Sequence, residues 1–321
     1  MDPGSPEDDP QIGPDPWTLS RNQWLDVFAQ GPHTSFKIIE VLLGELNLTY
    51  GDLLANPACL QPFSDNWRDW VTNVFDDPWI RTWDYDTGRC TSFAIKVAYG
   101  LESHPDYRGV FDFKYYNLGR HRVARCDRTT VVIDSESKYG PRLLPENAEW
   151  TDTPGEHRGW WRYHNGVSIF EERRSGGPRG TGTLRHILPI TREEALGICL
   201  KEITDMAVLV CLFRSIRPLE QGSQPWVAQY HGVVRWRISE RRIELTPDLD
   251  RRDSFYCITF GRPGGSRETN RQCINNFVAF IRDCGIEQQW RADGINQFNQ
   301  ELWKAAIQVW GGFPVWSERL T

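Results

Sequence analysis

The chain has 321 residues, 39% of them hydrophobic and 25% charged, enough for one large or two ordinary domains with a buried core. Its formal charge of −6 comes mostly from Asp2, Glu7, Asp8, Asp9 and Asp15, which lie near the start with no Lys or Arg among them, so the body is close to neutral. Net charge therefore announces neither a nucleic-acid surface nor a membrane surface, no apolar run approaches spanning length, and no basic-then-apolar leader is visible.

Residues 1–16 are rich in Pro, Gly and Asp and read as a disordered acidic tail; residues 17–321 read as a single α+β domain. Helical spacing runs from Trp17 to about Trp83: Phe36, Ile39, Leu42, Leu43 and Leu46 recur on one face, Asn56-Pro57 marks a break, and Trp67, Trp70, Val71 and Val74 predict a further helix. The turn residues Asp86-Thr87-Gly88 then deliver Cys90 to the start of another helix, Phe93-Ala94-Ile95-Val97-Ala98-Leu101, ending near Gly100. Beyond it the period changes to two. Val110–Tyr116, His121–Arg125 and Thr129–Asp134 read as strands, and the short link Cys126-Asp127-Arg128 predicts a hairpin. Residues from about 140 to 185 read as a loop-rich insertion. Thr191-Arg192-Glu193-Glu194 has capping-box form and opens an apolar helix expected over Ala195–Phe213. A hairpin (Val233–Ile238, Arg241–Leu245), a strand (Phe255–Phe260) and two C-terminal helices (Thr269–Asp283, Ile295–Val309) complete the layout.

Of the eight cysteines, Cys59, Cys90, Cys126, Cys199, Cys211, Cys257, Cys273 and Cys284, none forms a CxxC pair or a zinc-spaced cluster with His. No metal and no cofactor is expected, and a reducing, cytoplasmic setting is. Cys90 stands apart because a helix N-terminus favours the thiolate, the nucleophilic form of the group. His121 follows 31 residues later and Asp134 another 13, on adjacent antiparallel strands and near-opposite one another. A nucleophile, a base and a group that fixes the base's tautomer are three of the four requirements of thiol acyl transfer; the fourth is a set of oxyanion donors. The Cys90 backbone N–H is one such donor, and the Trp79–Trp83 segment is where a second is sought.

Gly88-Arg89-Cys90-Thr91-Ser92-Phe93-Ala94 resembles the G-x-C-x-x-F-A nucleophile motif of the transglutaminase-like superfamily, which belongs to the same broad class as arylamine N-acetyltransferases and papain-type thiol enzymes. His121 in Gly119-Arg120-His121-Arg122-Val123 resembles the family histidine that begins a strand, and Asp134 in Val132-Ile133-Asp134-Ser135 the aspartate that ends the next. The resemblance covers the core motifs of residues 83–136. It implies a Cys90–His121–Asp134 triad and a transglutaminase-like core, with a helical N-terminal part, the nucleophile helix packed on an antiparallel sheet, and C-terminal helices. Thr91 stands where transglutaminases commonly carry Trp, and no calcium-type acidic loop is present, which argues against protein cross-linking. The style of the chain also resembles proteins of fungal biosynthetic clusters.

These features together predict an amide-forming acyltransferase that works through a Cys90 thioester in small-molecule or peptide biosynthesis. Its acyl donor is a thioester, an amide or an aminoacyl-tRNA, and its acceptor is an amine. The alternatives are a tRNA-dependent cyclodipeptide synthase, a cysteine hydrolase or peptidase, and a non-enzymatic binding or effector protein with the same fold. Trp83, Asp84, Asp86 and Glu136 border the site as substrate-binding candidates, the carboxylates suited to a cation. Residues 120–192 carry 13 Lys and Arg against 9 Asp and Glu. Arg173, Arg174 and Arg179 in this segment are candidates for holding the phosphates of coenzyme A or tRNA, with a solvated loop as the simpler reading.

Overall fold

The computed structural model describes residues 15–29, 33–66, 90–118, 121–137, 139–146, 148–151, 158–164, 167–173, 183–206, 208–219, 226–247, 254–284 and 295–320. The tail to residue 14 and the helix expected at Trp67–Val74 lie outside them.

Helix α1 (Pro16–Ala29), a short strand β1 (His33–Thr34) and helices α2 (Phe36–Glu45), α3 (Tyr50–Ala55) and α4 (Gln61–Asp65) open the described chain. The break at Asn56-Pro57 has a local cause. The Asn56 side chain accepts from the Ala58 N–H, starting a 3-10 turn just where proline bars continuation of α3. Helix α5 (Cys90–Glu102) leads into an antiparallel sheet of β2 (Phe113–Leu118), β3 (His121–Cys126), β4 (Val131–Ile133) and β5 (Arg142–Leu143), ordered as in the chain. A second antiparallel sheet, again in chain order, holds β6 (Ala148–Thr151), β7 (Arg158–His164), β8 (Val167–Arg173) and β9 (Thr183–Ile187). The described residues of the segment expected to be a loop-rich insertion are thus largely strand. Their Trp-Trp-Arg-Tyr and Val-Ser-Ile-Phe runs pair antiparallel, and the Gly and Pro around them obscure the strand signal.

Helix α6 (Arg192–Met206) begins with the expected capping box. Thr191 N–H donates to Glu194 Oε2 at 2.9 Å, and Glu194 N–H to Thr191 Oγ1 at 3.1 Å. The helix does not run to Phe213. It ends at Met206, and Val208–Pro218 is strand β10. Val208-Leu209-Val210-Cys211-Leu212-Phe213 is apolar enough for either state, but it pairs along its whole length with β11 (Trp226–Arg237), and its burial alternates. The third sheet continues through β12 (Arg242–Pro247) and β13 (Ser254–Thr259), and its antiparallel order is β1-β10-β11-β12-β13-β14. Helices α7 (Arg267–Asp283) and α8 (Ile295–Trp310) lie where helical spacing put them; the last described element is not a helix but strand β14 (Val315–Leu320), paired with β13.

One apolar core lies where α2, α3, α7 and α8 cover the six-stranded sheet, centred on Phe213, Trp236 and Leu302. A second gathers α1, α5, β2, β3 and β4 with the first turns of α6 around Trp24, Phe93 and Ala98. A third, smaller core lies against Tyr116, Val123 and Val132 and takes in Trp161 of β7. Strand β3 is therefore buried at all six positions, between the second core and the third. Among the described residues no helix is long and apolar enough to cross a membrane.

Candidate active site

Cys90 is the first residue of α5 and is only 4% exposed. The helix holds its place because Ala94 and Ala98 are small and its first residues, apart from Lys96, are buried through Ala98. Phe93 meets the rings of Trp24 and Phe28 edge-on, with centroids 5.5 and 6.3 Å apart, which locks the first turn against α1. As the first residue of α5, Cys90 lies at the positive end of the helix dipole.

His121 starts β3 and Asp134 follows β4 directly. The ladder pairs Ala124 with Ile133 and Arg125 with Val132. The paired ladder ends at Ile133, and Glu136 lies in the turn that follows Asp134. His121 therefore opens β3, while Asp134 lies just past β4, outside the paired residues. The side chains close the gap: His121 Nε2 and Asp134 Oδ1 are 2.5 Å apart, and both residues are buried. Asp134 is itself fixed. Its Oδ1 accepts the Glu136 N–H at 2.9 Å, and its carbonyl accepts the Trp24 indole N–H at 2.8 Å.

With Nε2 committed to Asp134, Nδ1 is the ring nitrogen left for a proton exchange. Nδ1 itself is buried with no hydrogen-bond partner among the described residues, and the Cys90 side chain is one of the groups that raise the pKa of the ring. The Glu136 carboxylate also approaches, with Oε1 3.4 Å from Nδ1. Burial alone pulls the His121 pKa down. The Glu136 and Asp134 charges, the bond to Asp134 and the Cys90 side chain outweigh it and hold the pKa well above 6.5. The ring is thus stabilised as the imidazolium, the partner a thiolate needs.

Arg122, next along β3, is a residue that the sequence reading passed over. Its guanidinium is buried, donates from Nη1 to Thr91 Oγ1 at 3.2 Å, and grips Glu202 of α6 through Nη1 at 3.0 Å and Nη2 at 2.6 Å. Burial works against its charge, but the hydrogen bonds to Glu202 restore it, and the nearby Cys199 and Cys90 sulfurs add to the effect. The attraction is mutual, so the Arg122 cation favours negative charge on the Cys90 sulfur. The available signal was a charged residue directly beside His121 in a predicted strand. Trp24 gave none, since its bond to Asp134 spans 110 positions.

The other thiols differ from Cys90. Cys126 is fully buried, and its sulfur faces the N–H groups of Asp112 and Thr129 at 3.4 and 3.5 Å, a structural role. Burial, then the Asp52 charge, pushes the Cys59 thiol up, and burial pushes that of Cys273 up to about 11. Of the substrate-binding candidates, Glu136 comes to the triad. Trp83, Asp84, Asp86, Arg174 and Arg179 lie outside the described residues. Arg173 ends β8 opposite Arg158 in the second sheet. Among the described residues no group of three or more His, Cys, Asp and Glu side chains is placed to hold a metal ion.

A thiol, an imidazole and a carboxylate in this sequence of contacts can exchange a proton and present a nucleophilic sulfur. Comparison of the chain with models of known families, with curated proteins and with solved structures found no match.

Proposed function

We propose that the chain is a cysteine-nucleophile acyltransferase with a transglutaminase-like core, forming amides through a Cys90 thioester. The observation that carries this reading is the buried His121–Asp134 contact of 2.5 Å, which leaves Nδ1 of the ring buried with no hydrogen-bond partner among the described residues. His121 Nδ1 takes the thiol proton, and the sulfur attacks the acyl carbon of a thioester, amide or ester donor. The oxyanion that develops falls beside the Cys90 N–H at the α5 N-terminus. Collapse of the adduct breaks the bond to the leaving group, which departs with the His121 proton. An amine then attacks the thioester; the C–N bond forms, the C–S bond breaks, and the amine proton returns to sulfur through His121. Asp134 holds the imidazole in its working tautomer and orientation.

Intact-protein mass after mixing with candidate donors (an acyl-coenzyme A, a glutamine-containing peptide, an aminoacyl-tRNA) tests the reading. The expected outcome is an acyl increment that maps to Cys90 and disappears in Cys90→Ala and His121→Ala. Asp134→Asn should acylate more slowly by a factor on the order of 10²–10⁴, since an orienting group is less essential than nucleophile or base. Acylation of the His121→Ala variant at the wild-type rate would remove His121 as the base.

A further inference from the structure

The triad histidine faces two carboxylates, and only one of them is needed to orient it. Asp134 lies on Nε2 and is sealed from solvent. Glu136 lies on the other side, 3.4 Å from Nδ1, with its side chain 29% exposed while those of His121 and Asp134 are 2% and 1% exposed. Glu136 therefore joins the reacting nitrogen to the solvent side of the site. Its position is set by the backbone, because its own N–H is the donor that holds Asp134 Oδ1 at 2.9 Å. The turn that fixes the orienting carboxylate thereby also fixes the second one.

We propose that Glu136 recognises the acyl acceptor and selects an amine over water. This rests on the thioester reading above. Aminolysis of a thioester passes through an adduct whose nitrogen is positively charged until it loses a proton. The nitrogen must stand near His121 Nδ1 to lose that proton, and the Glu136 carboxylate is already beside Nδ1. It accepts one N–H of the attacking amine and stabilises the cation as it forms. In the balanced step, the amine nitrogen bonds to the acyl carbon, the C–S bond breaks, and the proton passes through Nδ1 to the Cys90 sulfur. Water needs the same base but builds no lasting cation, so it gains less from the carboxylate. A charge-assisted hydrogen bond of this kind corresponds to roughly a tenfold or greater preference.

The test uses the full chain and a generic donor, p-nitrophenyl acetate, with n-butylamine as acceptor. The ratio of N-butylacetamide to acetate released is compared among wild type, Glu136→Gln and Glu136→Asp, and acetyl-Cys90 is followed by intact mass. The expected result is a ratio lowered roughly tenfold or more in Glu136→Gln and partly recovered in Glu136→Asp, which keeps the charge. A ratio unchanged in Glu136→Gln, with acetyl-Cys90 still forming, overturns the selector role and leaves the thioester reading standing. No acetyl-Cys90 in the wild type overturns both.

Discussion

At the scale of single residues, exposure and electrostatics make opposite demands on the cysteines. Cys59 is half-buried, whereas Cys90 is almost fully covered. If access alone set reactivity, Cys59 would be alkylated first. Its thiol is pushed up by burial and by Asp52, whereas Cys90 sits at a helix start beside a protonated ring and within range of Arg122. Iodoacetamide at neutral pH, mapped by peptide mass, should therefore label Cys90 ahead of Cys59, and the reverse order would discard the activated thiol. The raised pKa of His121 also fixes a pH dependence. Because the folded pKa lies above 6.5, the stability contributed by the charged ring is fully present below that value and is lost as pH rises through the folded pKa. The difference in urea unfolding free energy between wild type and His121→Gln should be largest at mildly acidic pH, above the carboxylate range, and shrink on going alkaline. A difference that grows with pH would mean that the ring is buried neutral.

At the scale of elements, Arg122 joins β3, α5 and α6 through Thr91 and Glu202. The Arg122 side chain is 3% exposed and that of Glu202 26%, so removing the Glu202 charge strands a nearly dry cation. Glu202→Gln should cost about 2–4 kcal/mol, below the cost at a fully buried pair because water reaches Glu202. Replacing both, as in Arg122→Met/Glu202→Met, should recover most of that stability, since apolar side chains pack where a buried pair must be desolvated. Iodoacetamide labelling of Cys90 should nonetheless stay slower than in wild type, because the cation near the sulfur is gone. Full recovery of both quantities would leave the pair a purely structural clasp.

At the scale of the whole molecule, the site is assembled by parts of the chain that are far apart in sequence. Trp24 stacks between Phe28 and Trp226, at centroid distances of 4.4 and 5.4 Å, and its indole N–H reaches the Asp134 carbonyl. Helix α1 and strand β11 of the six-stranded sheet thus back the triad carboxylate. Trp24→Phe preserves most of the packing and removes one buried hydrogen bond, so thermal or urea unfolding should show a loss of about 1–3 kcal/mol. Loosening of the Asp134 turn should also slow Cys90 acylation. A variant of unchanged stability and unchanged rate would show that this contact supports nothing at the site. Arg125 makes a comparable link outward: it lies 3.8 Å over the Tyr163 ring and donates to the Leu144 carbonyl, tying β3 to the neighbouring sheet.

What the sequence determined by itself is local. Turn-forming residues ahead of an apolar period placed Cys90 at a helix start, alternation and a short link placed His121 on a strand and Asp134 at the end of its partner, and Thr191 with Glu194 marked where α6 begins. Each follows from steric and hydrogen-bonding preferences within a few residues, which hold whatever the rest of the chain does. The tertiary structure decided the remainder. Val208–Phe213 became strand because β11 offered it a full ladder, and Ala148–Thr151, Arg158–His164, Val167–Arg173 and Thr183–Ile187 became a sheet because they found one another. The turn after β4 brought Glu136 beside His121. The clasp on Arg122 spans 80 positions and the brace on Asp134 spans 110. Contacts of that range form only when whole elements pack, and the free energy of packing belongs to both partners at once, so neither stretch of sequence read alone contains it.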